Sequence, residues 1–548
     1  VNSMIEARNK DGQLEWRDGL RDFFAPLSPT TFPFDPKIVY DQYEDRFVVV
    51  ALEQITGTAS VSPTNVSRIL LAVSKDGNPQ NAADWRFHAI NSKTVIPRPV
   101  TLFDHWADYP GFEVDEEAVY ITANMFTFVP FGSFGGVRLW IVDKGAGAGG
   151  FYDGGSTGVT VHNPYAGGGI ATTTMPALVF GSGGVGSGIG TYLVSYSGLS
   201  NGVDEFVQVV RVGNPLGTTT FTQEFINIGN IENFSPVALP DAPQPGLDLG
   251  GIPRTIEVND RRALDCVWRD NALWMVAEIN PNSGPDAGQT TTHWWKLNTS
   301  AVPGPITLDD QGNIGGEDIA PGTFTYFPAV AVNRDGHAAF GFSASAPTVF
   351  AGAYVTVKTA SDPPGTVQAS EVVKAGEDFY FRRFGGANNR WGDYSGIAVD
   401  PSNEDFFWVF NEFADQRGSI LTAFPTQDGR WGTAWGRCKF VGSAKAAEDL
   451  ITESIPTSFG IEQNYPNPFN PQTMISYQLP SESRVVIKVF NLQGQVVRIL
   501  TDEFKAAGSY TIAWDGRDAD GIVAPSGTYF YHLKAGDFKQ AKPMVLLK

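Results

Sequence analysis

The chain has 548 residues and a formal net charge of -20 at pH 7. An acidic surface of this size repels phosphate groups, which argues against nucleic acid as a partner and against membrane attachment through a basic patch. No apolar run approaches the roughly eighteen residues that a spanning helix needs, so no transmembrane segment is expected. Sixty glycines, many aromatic residues and only 18% charged residues predict an all-β protein with many turns.

A chain of this length is expected to contain two or more domains. Its opening, V-N-S-M-I-E-A-R, reads like the middle of a strand, so we expect a processed or incomplete amino terminus. The two cysteines, Cys266 and Cys438, are compatible either with one long-range disulfide or with two buried thiols. Their spacing gives no metal site.

An internal repeat covers the first 442 residues. Six segments share apolar residues at their third and fifth positions and are usually followed by a turn residue: 36–41, 110–115, 176–181, 264–269, 328–333 and 395–400. A second apolar strand follows most of them. Such units cannot bury themselves alone, whereas a radial arrangement lets each cover the next, so residues 1–442 are predicted to form a β-propeller. We expect six blades, with an amino-terminal hairpin (residues 4–16) belonging to a seventh. Two β-sandwiches are the alternative.

The composition changes near residue 443. Residues 443–457 are small and polar and are predicted to be a linker. The motif N-Y-P-N-P-F-N-P follows, and its prolines exclude a helix and a central strand. Its residues are Asn464, Tyr465, Pro466, Asn467, Pro468, Phe469, Asn470 and Pro471. Six alternating strands are predicted after it, at 473–479, 484–491, 496–500, 509–514, 527–533 and 541–547, as in a small antiparallel β-sandwich.

The motif at 464–471 is followed by V-x-I-K-V-F-N-L-x-G-Q-V-V, W-D-G-R-D-A-D-G, S-G-T-Y-F-Y and a final M-V-L-L-K. Together these resemble the type A carboxy-terminal sorting domain of type IX secretion, over residues 458–548. That family is an immunoglobulin-like sandwich related to a module of the flagellar-hook capping protein. The resemblance implies export to the outer surface of a bacterium of the Bacteroidetes-Chlorobi type, with the type IX secretion machinery as partner. Such domains are often removed, so its presence here leaves a retained structural role open.

The propeller region is similar to sialidase-like propellers of secreted proteins, since S-K-D-G-N-P-Q-N-A-A-D-W (74–85) looks like a degenerate Asp-box. No arginine triad with a Tyr/Glu pair is found, so the resemblance does not extend to sialidase activity. The motif H-E-x-x-H and the Walker loop are absent from the sequence. An enzyme is therefore the less favoured class.

One pair of motifs is a candidate ligand site. Trp106-Ala107-Asp108-Tyr109 and Trp391-Gly392-Asp393-Tyr394 both precede an inner strand, where the loops are expected to face the mouth of the channel. The candidate residues are Trp106, Asp108, Tyr109, Trp391, Asp393 and Tyr394. Aromatic rings beside carboxylates can stack on a sugar or hold a cation. The alternative is structural, with the rings wedged between blades and the aspartates capping turns.

Three functions remain open for a protein at the cell surface. The first is a structural, adhesive or assembly role, with identical subunits as partners and filaments as one form. The second is glycan binding, and the third is hydrolysis of polysaccharide or protein. No cofactor is expected, although calcium is possible. Aromatic side chains filling the channel would favour the first function, and carboxylates about 5 to 10 Å apart at its mouth would favour the third.

Overall fold

The structure is a computed structural model. It describes residues 4–57, 59–98, 101–129, 132–156, 158–180, 189–233, 238–248, 250–301, 304–384, 386, 388–418, 422–423, 426–439, 459–461, 463–464, 467–479, 483–505, 508–519, 521–536 and 538–547. Within these residues strands dominate, and the α-helix α1 (Leu20–Phe23) has only four residues. The predicted all-β class is confirmed. No described helix has the length and apolar character needed to cross a membrane.

The chain forms two compact units: Val1–Arg8 with Leu14–Leu450, and Asn9–Gln13 with Ile451–Lys548. The predicted linker, 443–457, lies outside the described residues. The domain boundaries given above therefore stay predictions.

The first unit begins with a hairpin and continues as a ring of sheets. The hairpin consists of β1 (Met4–Arg8) and β2 (Leu14–Gly19), paired antiparallel. Six larger sheets follow, in the orders β3-β4-β5-β6, β11-β10-β9-β8-β7, β12-β14-β15-β16, β13-β17-β18-β19-β20, β21-β22-β23-β24 and β25-β26-β29. We number them blades 1 to 6.

The strand bounds of the blades are as follows. Blade 1 has β3 (Phe34–Asp41), β4 (Arg46–Ile55), β5 (Val66–Ser74) and β6 (Trp85–Asn91); blade 2 has β7 (Thr94–Arg98), β8 (Thr101–Val114), β9 (Ala118–Thr127), β10 (Phe134–Asp143) and β11 (Val159–His162). Blade 3 has β12 (Thr174–Pro176), β14 (Ile189–Ser200), β15 (Glu205–Gly213) and β16 (Thr220–Gly229); blade 4 has β13 (Leu178–Phe180), β17 (Ala263–Arg269), β18 (Ala272–Ile279), β19 (Thr291–Asn298) and β20 (Thr307–Ile314). Blade 5 has β21 (Phe324–Val332), β22 (Ala338–Ala346), β23 (Val349–Lys358) and β24 (Glu371–Lys374); blade 6 has β25 (Gly396–Val399), β26 (Phe406–Asp415) and β29 (Arg430–Lys439), with a small hairpin, β27 (Thr422–Ala423) and β28 (Thr426–Gln427), between its last two strands.

The six repeated segments lie in β3, β8, β12 with β13, β17, β21 and β25, one for each blade as the repeat predicts, with one difference. The segment 176–181 is shared between two blades, because Pro176 ends β12 of blade 3 whereas β13 pairs in parallel with β17 of blade 4. A strand of three residues is too short to show a recognisable alternation of apolar and polar residues, so the sequence does not predict this pairing.

Most faces of the blade sheets are apolar and pack on a neighbouring blade. In blade 1, Val48, Val50 and Leu52 lie on the face that packs with Phe112 and Val114 of blade 2. Burying each such side chain stabilises the fold by about 1.5 to 3 kcal/mol. This two-sided burial explains why the second strands read as continuous apolar runs.

The opposite face of blade 1 is covered by the amino-terminal segment. Val49 and Ala51 pack in one cluster with Phe23 of α1 and with Phe24. Trp16 of the hairpin stacks on Phe23 at a centroid distance of 6.2 Å. Within the described residues the hairpin is a two-stranded sheet of its own, so it covers blade 1 rather than completing a seventh blade.

A side-chain oxygen closes the turn after the first strand in four of the six blades. In each case the side-chain oxygen accepts the backbone N–H of the residue two positions later in the chain. The residues and distances are Asp41 (3.0 Å), Asp115 (2.8 Å), Asn333 (3.1 Å) and Asp400 (2.9 Å). These are the turn residues that recur in the sequence repeat. The turn N–H groups hydrogen-bond to this side-chain oxygen instead of to water, and the position of the side chain therefore determines where each hairpin turns.

The second unit is a sandwich of two sheets, as predicted. One sheet has β30 (Gly460–Ile461), β31 (Thr473–Leu479) and β34 (Gly508–Trp514), and the other has β32 (Ser483–Phe490), β33 (Val496–Lys505), β35 (Gly527–Ala535) and β36 (Phe538–Leu546). Alternate residues of these strands point into one core, which includes Ile475, Val485, Ile487, Tyr531 and Leu533. The six predicted strands are all present.

The proline-rich motif forms part of this sandwich. Phe469 donates its N–H to the Val545 carbonyl at 2.9 Å and accepts the Leu547 N–H at 2.9 Å, so it pairs along the edge of β36. The Phe469 ring is buried against Trp514 at 5.5 Å. The Asn464 side chain donates to Thr473 Oγ1 at 2.9 Å. Tyr465 and Pro466 lie outside the described residues.

The two cysteines are not bonded to each other, and both are buried. Cys266 donates its thiol to the Met175 carbonyl at 3.6 Å. Cys438 packs in the core between blades 5 and 6. The sequence left open a disulfide or two buried thiols, and the structure shows two buried thiols.

We expect Asp115→Ala to lower the free energy of unfolding of the propeller by about 1 to 3 kcal/mol, because two turn amides and the Tyr120 hydroxyl lose a buried acceptor. Urea denaturation followed by tryptophan fluorescence measures this loss. The matched control is Glu116→Ala, which removes the exposed carboxylate next to it. Equal unfolding midpoints for the two variants would contradict the assigned role of Asp115.

Candidate functional site

The candidate site lies near the start of the repeated segments, on the propeller axis. The pairing of β3, β8 and β21 shifts register at Phe34/Lys37, Asp108/Gly111 and Tyr326/Ala329. A residue with positive φ occupies each bulge: Asp35 (49°), Tyr109 (53°) and Phe327 (49°), and each precedes a proline. Bulges re-aim side chains and increase strand twist. Here they bring side chains of different blades into contact.

Four side chains stack across the axis, and we call them the axial stack: Arg262, Tyr109, Tyr394 and Lys37. The Tyr109 and Tyr394 rings are 5.0 Å apart with an interplanar angle of 23°. The Arg262 guanidinium lies 4.6 Å from the centre of the Tyr109 ring, and the Lys37 ammonium lies 5.1 Å from that of Tyr394. Each ring therefore has a cation on its outer face, an arrangement that stabilises both partners.

The axial stack joins blades that are not neighbours. Lys37 comes from blade 1, Tyr109 from blade 2 and Tyr394 from the residues entering blade 6, while Arg262 directly precedes β17 of blade 4. The Tyr109 hydroxyl also donates to the Asp393 carbonyl at 3.2 Å. Side chains from alternate blades can meet only at the axis, so the stack occupies the mouth of the channel.

The structure places the two predicted motifs differently. Trp391 to Tyr394 form a loop before β25, as predicted, but Trp106 to Tyr109 lie within the strand β8. The loop prediction for the first motif is wrong, because Trp106 and Asp108 pair with Phe126 and Asn124 of β9 and so extend β8. This pairing carries no marker in the sequence around Trp106.

Both tryptophans are buried between other aromatic rings. Trp106 is 8% exposed and lies 6.2 Å from Phe34 and 6.0 Å from Phe126, between blades 1 and 2. Trp391 is 4% exposed, lies edge-on to Tyr380 at 4.9 Å and donates its indole N–H to Ser343. The structure thus brings Asp108, Tyr109, Asp393 and Tyr394 together, with the tryptophans behind them. Their ligand-binding role stays a prediction.

Paired charges surround the axial stack. Arg390 Nη2 binds Asp393 Oδ2 at 2.6 Å, and Asn259 donates to Asp393 Oδ1 at 3.2 Å. Arg262 Nε lies 2.5 Å from Asp260 Oδ1. These pairings hold the loop that carries Tyr394 and fix the guanidinium over Tyr109.

Two aspartates beside the stack have raised pKa values. Burial raises the pKa of Asp35 to about 6, and the Asp393 charge adds to the rise, while hydrogen bonds from Tyr394 and the Tyr109 backbone oppose it. Burial and the Asp35 charge raise the pKa of Asp108 to about 7. Like charges sharing a poorly solvated site cannot all ionise freely, so protons are retained here near neutral pH.

A second layer of charged groups lies next to Lys37 on the axis. Burial raises the pKa of Asp265 of blade 4 to about 6, although its carboxylate accepts the Val330 and Cys266 N–H groups at 2.9 Å each. Burial also raises the pKa of Glu113 of blade 2, and it lowers the pKa of Lys37. The ammonium compensates two carboxylates from blades 2 and 4, which again connects separate blades.

The Glu412 carboxylate lies next to Gly392 in the loop of residues 391–394. The absence of a side chain at Gly392 lets this carboxylate approach, since a Cβ there would lie 2.0 Å from Glu412 Oε2. Burial raises the pKa of Glu412 to about 7. In the described part of the chain, no group of three or more His, Cys, Asp or Glu side chains is arranged to hold a metal ion. Calcium binding is therefore not assigned to this site.

Sequence reasoning missed Asp35, Lys37, Arg262, Glu113 and Asp265. A signal for the first two was present, since Asp35-Pro36-Lys37 has the same place in its repeat as Tyr109-Pro110-Gly111. Arg262 has no such signal, because it reaches the axis from a long connection before β17. Sequence reasoning also gave no geometry for Arg390, whose guanidinium pairs with Asp393.

Part of the carboxy-terminal sandwich is similar to a known domain family. Residues 468–537 match the FlgD Ig-like domain. We call this sandwich the Ig-like domain from here on. No curated protein matches the chain.

Solved structures resemble the chain at low identity. A sialidase mutant from Trypanosoma rangeli with trans-sialidase activity is 9% identical, with 100% of this chain and 87% of that chain covered and a TM-score of 0.33. PorZ of Porphyromonas gingivalis, a surface component of the type IX secretion system, is 11% identical, with 100% and 90% covered and a TM-score of 0.18. A glycosyl hydrolase from Bacteroides ovatus is 8% identical, with 61% and 86% covered and a TM-score of 0.27. At these TM-scores no functional property transfers to this chain.

The two tyrosines should be energetically coupled. In a double-mutant cycle with Tyr109→Ala and Tyr394→Ala, we expect a coupling energy of about 0.5 to 1.5 kcal/mol from the ring stack. Urea denaturation of the four proteins measures it. The comparison cycle pairs Tyr109→Ala with Tyr477→Ala in the Ig-like domain, for which additivity is expected. A coupling of zero between the axial tyrosines would remove the stack as a stabilising contact.

The retained protons predict a pH dependence of stability. Asp35, Asp108 and Asp265 have folded pKa values of about 6, 7 and 6, above their ordinary 3.8. Their contribution is complete below about pH 4 and is lost as the pH rises through the folded values. We expect Asp108→Asn to reduce the difference in Tm between pH 5 and pH 8 by about 1 to 2 °C. Differential scanning calorimetry at both pH values measures it, with Asp335→Asn on an exposed turn as the control. An unchanged difference would contradict the assignment.

Proposed function

We propose that the chain is a secreted bacterial surface protein with a structural, adhesive or assembly role, sorted by its Ig-like domain. The observation that carries the structural role is the axial stack. Its two tyrosine rings are in contact with each other and with two cations of the same chain, so the surfaces that a ligand would use are occupied.

The charges around the axis support the same role. Asp393 is held by Arg390 and Asn259, and the Lys37 ammonium compensates carboxylates from two other blades. Such contacts hold separate blades together near the axis. A propeller whose channel mouth is occupied by its own side chains is suited to display and assembly.

Type IX sorting is the proposed route to the surface. Its support is the motif at residues 464–471 and the match of residues 468–537 to the FlgD Ig-like domain. The described part of the motif is structural within the sandwich, since Phe469 and Asn464 are hydrogen-bonded to its strands. A sorting domain that keeps this fold after export can serve as a building part.

Two measurements test this function. Deleting residues 458–548 in a host with a type IX system should leave the propeller in the periplasm, as shown by cell fractionation. Negative-stain electron microscopy of material sheared from native cells should then show regular filaments or sheets that contain the complete chain by mass. Single particles without the last ninety or so residues would overturn the assembly role and leave the Ig-like domain as an address only.

A second function, glycan binding, is favoured by the retained protons. Asp35 and Asp108 can donate as well as accept hydrogen bonds near neutral pH, and they adjoin aromatic rings, which is a combination that recognises sugars. This role requires the axial stack to open.

A carbohydrate array separates the two functions. If the mouth binds glycans, Tyr109→Ala and Asp108→Asn should lower binding at least about tenfold, since each removes a direct contact. Trp106→Ala and Trp391→Ala serve as variants of the buried rings. No binding by the parent chain would remove the glycan role.

A further inference from the structure

The Ig-like domain carries a face unlike the rest of the chain. Residues 458–548 contain nine Lys and Arg against eight Asp and Glu, whereas the preceding residues contain thirty against fifty-one. The outer face of the sheet β33-β32-β35-β36 presents Lys488, Lys534 and Lys539, and none of these makes an ion pair with a described residue. We call this surface the basic face.

The three lysines of the basic face lie around His532. Lys488 lies opposite His532, and Lys534 lies opposite Lys539, in adjacent strand pairs. Burial lowers the pKa of His532, and the charges of Lys539, Lys488 and Lys534 add to this effect. A group surrounded in this way reports a concentrated positive potential.

Apolar side chains complete the basic face. Phe490 lies opposite both Phe530 and Val496, so these three form a row across three strands. Val496 and Ile499 are 50% exposed, and Phe530 is 38% exposed. An apolar row beside unpaired lysines has the composition of a docking surface, with apolar contact for affinity and charge for orientation.

The propeller has a surface of opposite charge. The turns after the first strands of blades 1 and 2 carry Glu44, Asp45, Glu116 and Glu117, and the last three are exposed. Burial raises the pKa of Tyr43 to about 12, with added effects from the charges of Asp115 and Glu116, so the two turns are close together. The nearby Lys144 is buried and binds Asp41 at 2.6 Å. We call these two turns the acidic end.

We propose that the basic face of one copy docks on the acidic end of a second copy. The inference rests on the assembly role proposed above and names its contact. The two surfaces differ, so the contact is heterologous, and repetition along a line of copies gives an open filament unless the rotation closes a ring. Charge complementarity selects this pairing over two basic faces or two acidic ends.

The size of the face sets the strength of the contact. Four strands about 4.8 Å apart and about eight residues long give roughly 500 Å² on each partner, below the about 800 Å² of a standard interface. We therefore expect assembly only at high concentration or low ionic strength. Dense display on a surface supplies such a concentration.

Reciprocal charge reversal of the purified full chain tests the contact. Lys534→Glu with Lys539→Glu, and separately Glu116→Lys with Glu117→Lys, should each raise the concentration for half-assembly at least about tenfold in low salt. The chain that carries all four substitutions should regain assembly. Sedimentation velocity and negative-stain microscopy measure this, and about 0.5 M salt should weaken assembly of the parent.

A matched pair of substitutions shows whether the position of the charge matters. Arg21→Glu with Lys75→Glu changes the same charge at exposed positions of the propeller and should assemble like the parent. Urea midpoints of all variants should be unchanged, because the substituted side chains are exposed. If the parent chain forms filaments and the double variants form them equally well, this contact is overturned but the assembly role is kept. A basic face that instead binds an anionic polysaccharide such as heparin, with no effect on assembly, would also overturn it.

Discussion

The propeller depends on one constraint, which is that each blade sheet is apolar on both faces. Blade 1 shows the consequence: Val48 and Val50 pack on blade 2, while Val49 and Ala51 need a separate cover from Phe23 and Phe24. A ring supplies a neighbour for nearly every face. The amino-terminal hairpin and α1 supply the cover for blade 1. The repeated apolar strands can therefore be buried only when the blades are arranged in a ring.

Polar groups inside the ring follow from that closure. Strands that converge on an axis bring Lys37, Glu113 and Asp265 from three blades within reach of each other's charge, and burial then shifts their pKa values. Buried charges are tolerated when they are compensated, and their geometry favours one arrangement of blades. The axial stack adds aromatic and cationic contacts at the mouth. The same side chains that hold the blades together also occupy the faces of the two axial rings, which is the basis of the proposed structural role.

The two units differ in surface charge rather than in architecture class. The propeller is strongly acidic, and its turns expose carboxylates because Asp and Glu close or flank them. The Ig-like domain is nearly neutral overall, with lysines on its outer sheet. This difference in charge is the basis of the proposed contact between copies, and such a contact would weaken as salt screens the charges.

The sequence by itself determined what depends on local pattern. Alternation and turn residues were enough for the six strands of the Ig-like domain, for the blade repeat, and for the turns closed by Asp41, Asp115 and Asp400, because neighbours along the chain decide these features. The pairing of β7 with β8 and of β13 with β17 depended on the tertiary structure, as did the meeting of Arg262, Tyr109, Tyr394 and Lys37. These four residues are up to 357 positions apart, between Lys37 and Tyr394. Only closure of the ring brings them together, and no local pattern carries that information.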